Sequence, residues 1–262
     1  MALHVEIDGA GSPIVLLHGF TGSARAWDEV APHLRGDARV IRVDLIGHGQ
    51  SPSPPDPGLY TLDHATRDLT EVLDRLGLER VDLLGYSMGG RVALHFAVHA
   101  QHRLRRLILE SASPGIEDAA ERARRVASDD ALAERILRDG LPAFVEEWEQ
   151  QPLLRPAAHV SQTARARQHE LRLQNDPLGL ANSLRGMGTG QQEPLWSQLP
   201  SLDVPAHLVV GQNDTRYCAV AERMRSTLPR ATLEVVPEAG HTVHADQPAA
   251  FVKVVQCALS RN

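Results

Sequence analysis

The stretch "VDLLGYSMGGRVALHFA" sets Ser87 between Gly85-Tyr86 and Met88-Gly89, where an apolar run gives way to a helical pattern. A tight turn at such a junction forces an unusual backbone conformation on the serine, and small neighbours keep strand and helix from colliding. The turn lifts the hydroxyl above the sheet edge, where the new helix also directs its free N–H groups. A serine hydroxyl is a weak nucleophile and a weak base until a histidine, itself held by a carboxylate, takes its proton. For a strand–G-x-S-x-G–helix unit the chain order is serine, acid, histidine. Among 13 histidines, His241 in "PEAGHTVHADQP" follows the last strand in a glycine-preceded loop, whereas His244, three residues on, reads as the start of the final helix. Asp214 ends the preceding strand in "VVGQND"; Asp203 lies at the wrong end of that strand, and Glu238 is an outside alternative.

A triad of this kind also needs donors for a developing negative charge. "LLHGFTGS" places His18, Gly19 and Phe20 just after a strand, so the backbone N–H groups of Phe20 and Met88 are candidates for an oxyanion hole. His18 and His48, in "DLIGHGQS", read as loop-organising histidines. No cofactor is expected: the chain lacks a Gly-rich phosphate loop, and "HTVH" has no third ligand to make a metal site.

The elements that must position these groups follow from the alternation of patterns. "LHVEI", "PIVLLHG", "RVIRVDL", "VDLLGYS", "LRRLILES", "AHLVVGQND" and "TLEVVPEAGH" read as strands. "TLDHATRDLTEVLDRLGL" is an amphipathic helix with Leu62, Ala65, Leu69, Val72, Leu73 and Leu76 on one face and Gly77 as its stop. Strand–helix alternation with short turns predicts an α/β fold with a mostly parallel central sheet flanked by helices. The rhythm stops after Pro114. Residues 115–192 are rich in Arg and Glu and helical in pattern, which predicts a helical cap insertion between core segments 1–114 and 193–262.

Bulk properties bound the function. The chain has 262 residues, 42% of them hydrophobic and 23% charged, and a formal charge of -6, which suits a soluble domain and not a nucleic-acid-binding one. Its two cysteines, Cys218 and Cys257, are far apart and read as thiols of a reducing compartment. The N-terminus lacks a basic start followed by an apolar run, and no apolar stretch approaches membrane-spanning length. A cytoplasmic location is expected, with no nucleic-acid or membrane partner and a monomer or small homo-oligomer.

Arg91 lies four residues after Ser87, one helical turn on and on the same face. A fixed cation beside an oxyanion hole suits a carboxylate substrate better than a neutral ester. Its alternative is a surface arginine of an ordinary helix. Arg122, Arg135 and Arg138 read as solvated helix faces, and Trp148 as either a cap-core or a cavity aromatic.

Together "LHGFTGS", "DLIGHGQS", "GYSMGGRVAL", "VGQND" and "EAGHTVHADQP" resemble the α/β-hydrolase superfamily over nearly the whole chain. Serine at the elbow disfavours the dehalogenases and epoxide hydrolases, which use Asp there. "GLPAFVEEWEQQPLL" and "GLANSLRGMGTGQQEPLW", with Tyr86 and Arg91, resemble one branch, the 2-succinyl-6-hydroxy-2,4-cyclohexadiene-1-carboxylate synthases of menaquinone biosynthesis. The resemblance implies a lyase that eliminates pyruvate from a small-molecule tricarboxylate substrate. It implies Ser87, Asp214 and His241 as the triad, and Tyr86, Arg91, Arg125, Trp148 and Arg172 as substrate-binding residues, with Arg124 and Arg167 as alternatives for the two cap arginines. "NDTRY" departs from the Lys-Phe of that pattern and leaves Arg216 as a stand-in. Two other readings stay open: a carboxylesterase or carbon–carbon hydrolase forming an acyl-enzyme, and a non-catalytic ligand-binding use of the fold.

Overall fold

In the computed structural model, which describes residues 1–260, seven strands form one sheet. They are β1 (Val5–Asp8), β2 (Ser12–Leu17), β3 (Ala38–Val43), β4 (Val81–Tyr86), β5 (Leu104–Glu110), β6 (Ala206–Gly211) and β7 (Ala231–Val236), in the order β1-β3-β2-β4-β5-β6-β7. Only β1 runs antiparallel, pairing Val5 with Val43 and Asp8 with Val40; the other pairs are parallel, with Leu17 opposite both Val43 and Gly85. Strands β4 and β6 are buried at every position, as strands covered on both faces must be, whereas the edge strand β7 alternates with solvent.

Ten α-helices accompany the sheet among the described residues. The core carries α1 (Ala31–Leu34), α2 (Leu62–Arg75), α3 (Met88–Ala100), α8 (Thr215–Thr227), α9 (Val243–Asp246) and α10 (Pro248–Ser260). Helix α2 ends as its sequence predicts, with Gly77 at a φ of 67° just beyond its end, and the structure adds a cap at its start, where the Thr61 side chain accepts from the His64 N–H. One apolar cluster fills the side of the sheet holding α2, α3 and α8, with Leu69, Val92, Phe96 and Met224. The other packs α1 and α10 through Trp27, Leu34, Phe251 and Val255.

Between β5 and β6 the chain forms α4 (Ala119–Asp139), α5 (Leu141–Glu149), α6 (Gln162–Leu173) and α7 (Pro177–Met187), with no strand from 115 to 192. These helices have a small core of their own, including Ile136, Phe144, Val145, Leu180 and Leu184, against which Phe20 and Trp148 pack. Helix α4 lies along α7, and α7 rests on the turn Pro57–Tyr60. Cys218 and Cys257 are unpaired thiols. No helix among the described residues is long and apolar enough to cross a membrane.

Candidate active site

The turn from β4 into α3 explains its glycines by space. A Cβ on Gly85 would lie 2.7 Å from the Gly90 Cα, and one on Gly89 would lie 2.5 Å from the His18 carbonyl oxygen. Ser87 itself sits at φ 50°, ψ -107°, a conformation that costs an L-residue about 1–3 kcal/mol and is held by its surroundings. Its N–H donates to the Glu110 carbonyl at 2.8 Å, and its own carbonyl accepts from the Arg91 N–H at 3.0 Å, the first turn of α3.

Three chain segments meet there. The Ser87 hydroxyl donates to His241 Nε2 at 3.0 Å, and His241 Nδ1–H donates to Asp214 Oδ2 at 2.6 Å. Asp214 caps α8, its other oxygen accepting from the Tyr217 N–H at 3.2 Å, so the carboxylate is fixed at both ends. Asp214 and His241 are buried. The rivals lie elsewhere. Asp203 is exposed, and Glu238 is exposed with a positive φ. His244 belongs to the short helix α9, ahead of the final helix α10, and is buried against Glu110, with Nδ1–Oε2 at 2.8 Å. The sequence reading missed Glu110, because an acid at the end of a buried strand gives no local sign of its partner 134 residues on.

The loop after β2 is held by His18. Its Nδ1–H donates to the Gly19 carbonyl at 2.8 Å and its Nε2 accepts from the Leu45 N–H at 3.0 Å, which fixes a neutral ring. Burial lowers its pKa to about 4 and that of neighbouring His48 to about 3. Both histidines therefore organise loops and do not exchange protons near neutral pH.

Ser87 and His241 open into a cavity of about 270 Å³ lined also by Phe20, Met88, Arg91, Arg125 and Trp148. Arg91 is 7% exposed, and its Nη1 has no hydrogen-bond partner among the described residues. Desolvation lowers its pKa to about 10, which leaves it cationic at neutral pH. Burying a guanidinium nitrogen without a protein acceptor is costly, and an anion entering the cavity would satisfy it. Arg125 is bonded through Nε to Asp129 Oδ1 at 2.9 Å. Arg135 departs from the expectation of a solvated face: it reaches this cavity while paired with Glu147 at 2.8 Å. Arg122 and Arg138 are tied to nearby carbonyls and to Asp139.

A second cavity of about 130 Å³ lies across the wall formed by Phe20, Trp148 and Leu154, which line both. Tyr86, Arg172 and Arg167 line this cavity, which Ser87 does not, although the Tyr86 ring lies 5.5 Å from that of His241, centroid to centroid. The Tyr86 hydroxyl bonds Thr242 at 2.8 Å, and burial raises its pKa. Arg172 binds Glu149 at 2.7 Å, and Arg167 binds Asp28 and Glu29. Arg124 and Arg216 are exposed and line neither cavity.

Residues 12–248 match the alpha/beta hydrolase fold family. A Bacillus subtilis protein provisionally named 2-succinyl-6-hydroxy-2,4-cyclohexadiene-1-carboxylate synthase is 44% identical over 95% of this chain and 91% of its own length. The synthase of that name from Enterobacter is 34% identical over 92% of this chain and 90% of its own. Among solved structures, MenH from S. aureus superposes with a TM-score of 0.94 at 32% identity, covering 98% of this chain and 97% of that one.

Proposed function

Because the chain belongs to the 2-succinyl-6-hydroxy-2,4-cyclohexadiene-1-carboxylate synthase family of α/β hydrolases, we propose that Ser87, His241 and Asp214 carry that family's elimination step. The enzyme is a carbon–oxygen lyase of menaquinone biosynthesis. Its substrate is 2-succinyl-5-enolpyruvyl-6-hydroxy-3-cyclohexene-1-carboxylate, and the products are the ring diene and pyruvate.

The ring C–H beside the succinyl ketone is acidified by that carbonyl. Ser87, giving its own proton to His241, removes the ring proton, and the electron pair moves onto the ketone oxygen as an enolate. The N–H groups of Phe20 and Met88 stabilise that oxygen. When the enolate collapses through the ring double bond, the C–O bond to the enolpyruvyl group breaks and the diene forms. The departing enolpyruvate takes a proton and tautomerises to pyruvate. Asp214 holds the imidazole and balances its charge. No acyl-enzyme and no cofactor enter the scheme.

Arg91 and Arg125 bind substrate carboxylates in the triad cavity, and Trp148 forms its wall. Tyr86 and Arg172 act from the second cavity. Residues 115–192 form a cap over the C-terminal edge of the sheet, between core segments 1–114 and 193–262. The substrate is a small tricarboxylate met in the cytoplasm. One observation carries this reading above all: the Ser87–His241 pair shares its cavity with a buried arginine whose Nη1 has no hydrogen-bond partner among the described residues.

The test is to supply the enolpyruvyl substrate to purified protein and follow pyruvate and the diene. Equal amounts of both are expected, with no solvent oxygen incorporated and no burst. Deuterium at the acidic ring position should slow the step where proton transfer limits the rate. Absence of pyruvate, together with a clear burst from a neutral ester, would overturn the reading in favour of an acyl-enzyme hydrolase.

A further inference from the structure

Asp129 puts a carboxylate into a cavity built to receive carboxylates. It is 3% exposed and lines the triad cavity beside Arg91 and Arg125. One oxygen takes the Arg125 Nε–H at 2.9 Å from one helical turn away; the other meets no donor in full hydrogen-bond geometry among the described residues, although the Gly190 backbone N–H also favours the charged carboxylate. Burial raises the carboxyl's pKa, while the charges of Arg125 and Arg91 oppose that shift. The influence is mutual, since Asp129 in turn favours the charged form of Arg91, and Arg125 disfavours it.

The chain makes room for this acid. In "SLRGMGTGQQ", a Cβ on Gly188 would lie 2.7 Å from Asp129 Oδ2, and one on Gly190 would lie 2.6 Å from the Val126 nitrogen. Both glycines let the loop after α7 lie directly on α4 at the turn that carries Asp129.

Resting on the reading that this cavity binds the tricarboxylate substrate, we propose that Asp129 is a positioning residue that fixes Arg125, and offsets the crowding of two guanidiniums, so that Arg125 and Arg91 are held ready for two separate carboxylates. An arginine held through Nε keeps its terminal Nη groups for a ligand. Without the acid, Arg125 is free to turn towards solvent, and two like charges facing one cavity push apart.

The test is Asp129→Asn against wild type with the enolpyruvyl substrate. KM should rise by about tenfold or more while kcat stays within about threefold, because the lost order is in binding. In an Arg125→Ala background the same substitution should change KM by less than about twofold, since it acts through the arginine. A purely structural acid would instead give equal effects in both backgrounds. Should the asparagine variant fail to fold, Asp129→Glu, which keeps the charge and displaces it, carries the same KM and background comparison. Unchanged KM overturns the proposal. So does a fall in KM, which would mean that Asp129 acts chiefly by repelling the substrate. If wild-type protein releases no pyruvate at all, the synthase reading fails; if it does and Asp129→Asn keeps its KM, only the role of Asp129 fails.

Discussion

Phe20 and Trp148 meet edge to face, with ring centroids 5.3 Å apart and planes inclined at 80°. One belongs to the loop after β2 and the other to α5, so this contact joins the core to the helical insertion and divides the two cavities. Such a pair contributes about 0.5–1.5 kcal/mol beyond the area it buries. Trp148→Ala should merge the cavities and lower kcat/KM by about tenfold, because a substrate in a wider chamber has more unproductive poses. Steady-state kinetics alongside a melting curve would check this; a fall in stability with unchanged kinetics would make Trp148 a packing residue alone.

The hydrogen-bonded chain Ser87–His241–Asp214 should behave as a unit. Alanine at any one position should reduce kcat by about three orders of magnitude or more, and the triple variant should be little worse than the worst single one. Single-turnover formation of pyruvate would measure it. Near-normal activity in Asp214→Ala would show that another acid orients His241.

Arg91→Ala should raise KM strongly while leaving the fold intact, since the guanidinium faces the cavity. A charge-assisted contact in a water-poor site is worth about 1.5–3 kcal/mol, or roughly ten- to a hundredfold in kcat/KM. Arg91→Lys should recover only part of this, because an ammonium cannot present the paired donors of a guanidinium. The initial-rate slope at low substrate is the measurement; an unchanged slope would remove Arg91 from the binding role.

His18 and His48 make stability depend on pH in a defined direction. Their folded pKa values, about 4 and about 3, lie below the ordinary 6.5, so the unfolded chain binds more protons between those values. Stability is therefore highest above pH 6.5 and falls as the pH drops towards 4, by about 2 kcal/mol per histidine on reaching pH 5. Thermal midpoints at pH 7 and pH 5 would show the drop, and His48→Gln should make it smaller. A midpoint that does not move over this range would contradict the burial of both rings as neutral species.

Much of this architecture is legible in the sequence because it rests on local rules. Gly85, Ser87 and Gly89 are dictated by one turn, and α2 is written in its apolar stripe and Gly77. The sheet order is partly legible, since strands alternating with helices pair in parallel; the antiparallel edge strand β1 is not, as its direction is set by a short return in the chain. Partners distant in sequence were harder to see. Glu110 meets His244, and Arg172 meets Glu149 behind the Phe20–Trp148 wall, because the insertion folds back over the core in a way no local pattern records. Asp129 left one usable trace, its place four residues after Arg125, the spacing at which a helical acid and base meet.

The buried guanidinium of Arg91, whose Nη1 meets no acceptor among the described residues, also makes the ligand-free enzyme a less settled molecule than the occupied one. Taking a cation out of water costs folding stability, and the one nearby carboxylate, Asp129, is already bonded to Arg125, so any anion that reaches the cavity acts as a stabilising ligand by mass action. Product, substrate or a simple dicarboxylate should each raise the melting midpoint, and a ligand at about a hundred times its Kd contributes about 2.7 kcal/mol. Arg91→Met, which fills similar space without charge, should melt higher than wild type in ligand-free buffer and no longer respond to dicarboxylate. The heat resistance of this protein is then partly a readout of how full its site is: a cell supplied with substrate holds a sturdier enzyme than one that has run short.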